Sequence, residues 1–371
     1  NFSFKDLPSG KKYFVFSEDR YKEPERLLLD EPSDLKNTNN QADFVIITGG
    51  EFEDAIKPLV ELRETQGLEV EVVDVEDIYD ECNYSLPSPH AIKDFLKYTY
   101  NYWSKPAPTY VLLVGDASYD YKDYLGYGKT NFVPTYLTHT KYLGETGSDN
   151  WYVCLDGQED ILPDMFIGRL PVRRVEELEN IIEKIITYQG SDLEDWDKRL
   201  VFVVDDDEEI FQAMADDSEQ VLNHSSIKYY TTQLRLIDYV DVEILKEELM
   251  DRINQGLLWV SYIGHGAVKQ WTSEKVLTTS DVPNLANSGK YPFIESLTCM
   301  DGFYLHPQEY ECMAEVFLKE EGKGGIGCFA STGMTEPYGQ RVLNQELFKA
   351  IFLEGRSLIG QATTEAKIGL Y

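Results

Sequence analysis

The chain has 371 residues, 42% of them hydrophobic and 13% aromatic, and a formal net charge of −32 from 66 acids against 34 bases. That apolar content folds, which excludes a disordered acidic tail, and the charge argues against nucleic acid or an anionic membrane surface as partner, because both would repel it. It suits divalent cations or basic peptides, or serves solubility alone, and no apolar run approaches the roughly 18 residues a spanning helix needs.

A chain of this length exceeds one simple core, so two packed units are expected. Residues 1–40 read as a polar, irregular lead-in that ends in the linker-like "DEPSDLKNTNNQ". An α/β rhythm follows. "DFVIIT" (43–48) is a strand, "FEDAIKPLVELRETQG" (52–67) a helix stopped by glycine, and "LEVEVVDV" (68–75) a second strand. "SPHAIKDFLKYTYNYW" (88–103) is a helix with Ser88 as its cap and Pro89 in its first turn. "TYVLLVGD" (109–116) and "DMFIGRLPV" (164–172) are further strands, the latter followed by the helix "VEELENIIEKIITYQ".

The polar "GSDLEDWDKR" (190–199) reads as a joint. A second series then runs "LVFVVDDD", a helix from about 209, "KYYTT", the helix "EILKEELMDRINQG", "LLWVSYIG", "YPFIESLTC", the helix "EYECMAEVFLKEE", "GGIGCFAST" and the helix "NQELFKAIFLEG". Strands alternating with helices imply mainly parallel sheets flanked by helices. The fold class is therefore α/β, with subdomains at 41–190 and 195–371.

Two glycine motifs fail on context. "GKGGIG" (322–327) has the letters of a dinucleotide fingerprint, but a helix precedes it and a strand follows, the reverse of what that fingerprint needs. "GYGKT" (126–130) ends like a phosphate-binding loop, yet position 123 is Asp where a glycine is required. Five cysteines without a CxxC pair argue against a zinc site or a disulfide framework.

Of the five histidines, His265 alone directly follows a buried strand, and ligands in open α/β sheets bind beyond the carboxyl ends of strands. Alone it reads first as a hydrogen-bonded turn residue. The next strand ends the same way, in Cys299. If the two strands are parallel neighbours, imidazole and thiol emerge at one sheet edge. An imidazolium there stabilises a thiolate nucleophile and then protonates a leaving amine. The N–H groups of Gly266 and Cys299 would form an oxyanion hole. The alternative for Cys299 is an inert core thiol, a description that fits Cys328 in "IGCFA" better.

"YIGHG" followed by "PFIESLTC", together with "YVLLVGDASYDYKDYLG", "VPT", "SDNWY", "FIGRLPVR", "KIITY" and "FASTG", resembles the gingipain family of cysteine endopeptidases, of the caspase-like clan. The resemblance runs from about residue 42 to the end. It implies a caspase-like second subdomain and peptide-bond hydrolysis by a Cys–His dyad that maps onto Cys299 and His265. By similarity an acid near Asp206 or Asp207 orients the imidazole, with helix capping or plain solvation as the other reading of both. An acid in the S1 pocket of basic-specific members maps near Asp217, with Glu336 in the lid segment as a second candidate, which implies Arg or Lys at P1. Structural calcium is implied too, with Asp116, Asp120 and Asp149 as candidate ligands and a solvated acidic face as the alternative. Family members are exported, so a secreted or cell-surface protein acting on protein or peptide substrates is expected. The chain's ends suggest a domain excised from a longer precursor with flanking domains. Two rivals stand beside hydrolysis: a sortase-like transpeptidase of a secretion pathway, and a surface interaction module with a vestigial dyad.

Overall fold

The computed structural model of the chain describes residue 17 and residues 32–157, 160–308 and 310–371. Most of the expected 1–40 lead-in lies outside the described residues. Residues 34–371 form one compact unit.

That unit is built on two parallel sheets. The first takes β1 (Phe44–Thr48), β2 (Val70–Asp74), β3 (Tyr110–Val114) and, beyond a hairpin of β4 (Leu137–Thr140) and β5 (Gly144–Gly147), β6 (Phe166–Leu170). Its strand order is β2-β1-β3-β6. The second takes β7 (Arg199–Val204), β8 (Tyr230–Arg235), β9 (Trp259–Ile263), then, beyond the two-residue strands β10 (Gly266–Ala267), β11 (Gln270–Trp271) and β12 (Leu277–Thr278), β13 (Phe293–Leu297) and β14 (Gly327–Ala330). Its order is β14-β13-β9-β7-β8. Helices cover both faces of each sheet, and so the central strands are apolar in unbroken runs: all five residues of β1 and of β9 are buried. This is the expected α/β class.

The helices are α1 (Glu53–Thr65), α2 (Val75–Asn83), α3 (Pro89–Tyr102), α4 (Val175–Gly190), α5 (Glu209–Asn223), α6 (Val242–Gln255), α7 (Met313–Lys319), α8 (Pro337–Phe348) and α9 (Ile359–Gly369). Their starts follow capping chemistry. Ser88 accepts the His90 N–H at the head of α3, and Asp241 the Glu243 N–H at the head of α6. Two helices were not read from sequence. In α2 the strand before it ends at Asp74, whose carboxylate caps the Glu76 N–H and turns the chain at once into helix. α9 packs on α8 through short residues, Ala362, Thr364 and Ala366, that give little periodic signal. The helix expected over 309–321 shortens to α7, and the one expected from 344 begins at Pro337.

Buried lysines tie the sheets together. The Lys184 ammonium on α4 donates to the carbonyls of Phe317, Lys323 and Gly325, and burial lowers its pKa to about 8. Lys129 donates to the carbonyls of Tyr304 and His306.

Candidate active site

Three parallel neighbours set the site. Val204 of β7 is level with Ile263 of β9, and Ile263 is level with Leu297 of β13. His265 and Cys299 each lie two residues past those ends, so they leave side by side from strands about 4.8 Å apart. The Gly264 N–H donates to Leu297 O at 3.3 Å. A Cβ on Gly266 would stand 2.5 Å from Oγ1 of Thr298, the residue before Cys299. A Cβ on Gly264 would stand 2.3 Å from the Asp205 Cβ. Neither glycine has a left-handed backbone. Both are needed because the strand ends crowd them, so close packing, and not the sharp turn that glycine's freedom suggests, is the reason for Gly264.

Gly266 and Trp271 are register partners, and the flanking bond runs from Thr272 N–H to His265 O at 2.9 Å. In an antiparallel ladder this makes Gly266 a non-hydrogen-bonded position, with its N–H turned away from β11. That amide is free of the ladder, as an oxyanion donor must be.

The imidazole is 52% exposed. Its ring packs edge-on against Phe211, with centroids 5.3 Å apart, and its Nε2 lies 3.3 Å from Oε1 of Glu208. Asp206 and Asp207, expected to orient it, are exposed, and the carboxylate that reaches the ring is Glu208, one position further on at the cap of α5. The residue on their other side acts on the backbone. Asp205 is buried, with Oδ2 accepting the His265 N–H at 2.8 Å and Oδ1 the Asp206 N–H at 2.8 Å. Burial raises its pKa, and those two N–H groups oppose the rise. The acidic run "VVDDDEE" flagged the region, but which member faces the ring depends on how the chain turns into α5.

Cys299 is half-buried. Its Sγ accepts the Thr335 N–H at 3.4 Å and lies 3.6 Å from Thr335 Oγ1. Gln340 of α8 donates to Thr335 Oγ1 at 2.7 Å and to Thr298 O at 3.3 Å, which pins that segment over the thiol. Burial is the main cause that pushes the thiols of Cys82, Cys154, Cys312 and Cys328 up, which keeps them protonated and unreactive.

The specificity candidates are already partnered. Asp217 on α5 accepts from Arg341 Nε at 2.6 Å and from Gln345 at 2.8 Å, both on α8. Glu336 pairs with Lys141 at 3.0 Å and accepts the Tyr142 hydroxyl, both at the tip of the β4–β5 hairpin. The same hairpin is bonded to the segment before Glu336: Thr332 donates to Gly147 O at 2.7 Å.

The calcium candidates do not fit a cation. Asp116 is fully buried between Lys129 at 2.9 Å and Arg173 at 2.5 Å. Asp149 accepts two bonds from Arg169, at 2.7 and 2.8 Å, and one each from Thr135 and Tyr304. Asp120 accepts the N–H groups of Tyr124 and Leu125, closing its own turn. Cations hold Asp116 and Asp149, and Asp120 is taken up by two backbone donors, where calcium requires a cluster of acceptors. Among the described residues, the carboxylates that cluster closely are Asp205, Asp206 and Asp207; Asp205 is committed to two amides and the others face solvent.

The chain is similar to known proteins over most of its length. The model of peptidase family C25 matches residues 37–371. Gingipain R1 of Porphyromonas gingivalis is 28% identical over 352 residues, 88% of this chain and 31% of that protein. Lys-gingipain of the same organism is 24% identical over 307 residues, 81% of this chain and 16% of that protein. The chain thus spans a third or less of the length of these two relatives. The crystal structure of the Arg-specific cysteine proteinase gingipain R superposes with a TM-score of 0.69 at 23% identity, covering 92% of this chain and 74% of that one. A complex of the pro- and mature domains of the same kind of protein gives 0.70 at 22% identity, over 88% and 73%. The fold of the chain is therefore that of the gingipain R catalytic region.

Proposed function

The chain belongs to peptidase family C25, and from that premise we propose that it is a cysteine endopeptidase working through His265 and Cys299. The observation that carries the reading is the register: imidazole and thiol stand at equal offsets past two paired strands. His265 takes the thiol proton, and the Cys299 sulfur attacks the scissile carbonyl carbon. The carbonyl oxygen, now negative, is held by the N–H groups of Gly266 and Cys299. His265 returns the proton to the leaving amine, which leaves an acyl-enzyme. Water, deprotonated by His265, attacks that thioester and releases the acid. Glu208 steadies the imidazolium formed in both halves.

Arg or Lys at P1 belongs to the proposal in a qualified form. Both acids suggested for it carry a cation of the chain, so a basic P1 side chain must displace Arg341 from Asp217. Structural calcium rests on the family likeness alone, at ligands other than Asp116, Asp120 and Asp149. Secretion, and protein substrates met outside the cell, rest on the same likeness; no helix among the described residues is long and apolar enough to cross a membrane.

A peptide library varied at P1, run with Cys299→Ala as control, tests the reading. Cleavage that disappears in the control supports it, and cleavage that survives there, or no cleavage by either form, overturns it. Including an amine acceptor separates hydrolysis from acyl transfer by product mass. Arg341→Ala should raise kcat/KM for Arg and Lys substrates; equal cleavage after Arg, Leu and Asp by both forms would remove the basic preference.

A further inference from the structure

Directly beneath the dyad lies a buried polar chain that the proposed mechanism does not use. Asp301, two residues past Cys299, is fully buried, and its Oδ2 accepts the indole N–H of Trp271 at 3.3 Å. Trp271 is itself buried and stacks on Tyr262, centroids 4.5 Å apart and planes 5° from parallel. The Tyr262 hydroxyl donates to His265 O and accepts the Thr272 N–H at 3.0 Å. The chain of contacts therefore begins in the Cys299 turn and ends on the His265 backbone.

Each end is anchored independently. The Asp301 carbonyl accepts the Ala314 N–H from α7 at 3.1 Å. Met300, between Cys299 and Asp301, has the left-handed φ of 60° that a non-glycine residue adopts only when its surroundings hold it there. Its N–H is committed to Gly333 O at 3.0 Å and Ser331 Oγ at 3.1 Å. A carboxyl in this position is costly, because Asp301 is fully buried and burial pushes its pKa up to about 7, against the opposing bonds from Ser296 and Trp271. A matched apolar pair at 271 and 301 would leave no buried group unpaired, so stability alone does not account for the carboxyl.

We propose that Asp301 is a positioning residue for the reaction: through Trp271 and Tyr262 it locks the Cys299 turn to the His265 turn and so sets the spacing and aim of thiol and imidazole. This rests on the dyad reading given above. The indole can satisfy its N–H only where Asp301 sits. The plane of Trp271 then fixes Tyr262, and the Tyr262 hydroxyl fixes the carbonyl of His265. Loosening any link leaves both groups present but misaligned, which affects the rate and spares substrate binding.

The test measures alkylation of Cys299 by iodoacetamide, located by peptide mapping, alongside kcat and KM, in Asp301→Leu, Asp301→Asn, Trp271→Phe and the Asp301→Leu/Trp271→Phe double variant, each assayed well below its own cooperative melting transition. Asp301→Leu and Trp271→Phe should each slow alkylation and kcat by about tenfold or more with KM within about twofold. The double variant should be no slower than either single one, since both cut the same link. Asp301→Asn keeps an acceptor for the indole and can donate to Ser296, so it should recover most of the rate. A folded Asp301→Leu protein with wild-type alkylation overturns the proposal, as do multiplicative losses in the double variant. His265→Ala separates the two levels: if it leaves alkylation unchanged the dyad reading has failed, whereas slowing by His265→Ala but not by Asp301→Leu or Trp271→Phe defeats the positioning role alone.

Discussion

The carboxyl edges of the two parallel sheets are built alike and used differently. Asp116 stands two residues past β3, the same offset at which His265 follows β9 and Cys299 follows β13. At the first sheet that residue is sealed: Asp116 is fully buried, with Lys129 and Arg173 closing on its carboxylate. At the second the corresponding residues remain open, His265 half in solvent and Cys299 half-buried. The strand-end rule identifies both edges as possible sites. What separates them is the supply of long basic side chains from neighbouring loops, which turns one edge into a strut and leaves the other open.

The comparison can be broken most directly at the open edge. Cys299→Ala or His265→Ala should lower kcat by at least about 10³-fold, while Cys299→Ala shifts stability by about 1 kcal/mol or less. Peptide cleavage and a urea midpoint read the two effects. Asp116→Asn should do the reverse. It leaves two buried cations short of their carboxylate and should cost about 3–5 kcal/mol of stability, seen as a lower urea midpoint. If it instead abolished activity without lowering the midpoint, the sealed edge would be a functional site.

Glu208→Gln should reduce kcat about tenfold, far less than loss of the dyad, because an exposed carboxylate is screened by solvent. If Asp206→Asn or Asp207→Asn slows the enzyme and Glu208→Gln does not, the ring is held by the residues the sequence first suggested.

The last effect lies in the sheet interior and shows only as a pH dependence. Burial pushes the Glu295 carboxyl up to about 7, against the opposing bonds from Ser261 and Trp259. A raised folded pKa means the native state keeps a proton that the unfolded chain releases near pH 4. Its contribution is whole below that pH and is lost as pH rises to about 7, with a slope of roughly 1.4 kcal/mol per pH unit. Glu295→Gln should flatten that part of the stability profile, measured by urea unfolding between pH 5 and 7. Asp301, also raised to about 7, keeps its own share of the slope.

Much of the site was legible one residue at a time. The runs that became β3, β7, β9 and β13 are mostly apolar because both faces of their sheets are covered, and His265 and Cys299 follow β9 and β13 at the same offset. The carboxylate that meets the His265 ring stands one position beyond the pair suggested for it. An acidic run has no periodicity to show which member faces inward, and the turn into α5 sends Asp205 back to the His265 amide and Glu208 across to its ring. The calcium and specificity candidates were acids chosen without their partners, and a sequence does not show that an arginine more than fifty residues away reaches Asp116, or one well over a hundred away reaches Asp217.

The sequence by itself determined the α/β alternation, the apolar strands and the chemical pair at their ends, because these depend on residue type and local spacing. Tertiary structure decided which strands are neighbours, which acids meet cations, and that Trp271 stands between the two turns. Those are contacts across long stretches of chain, set by register and packing, and no local pattern encodes them.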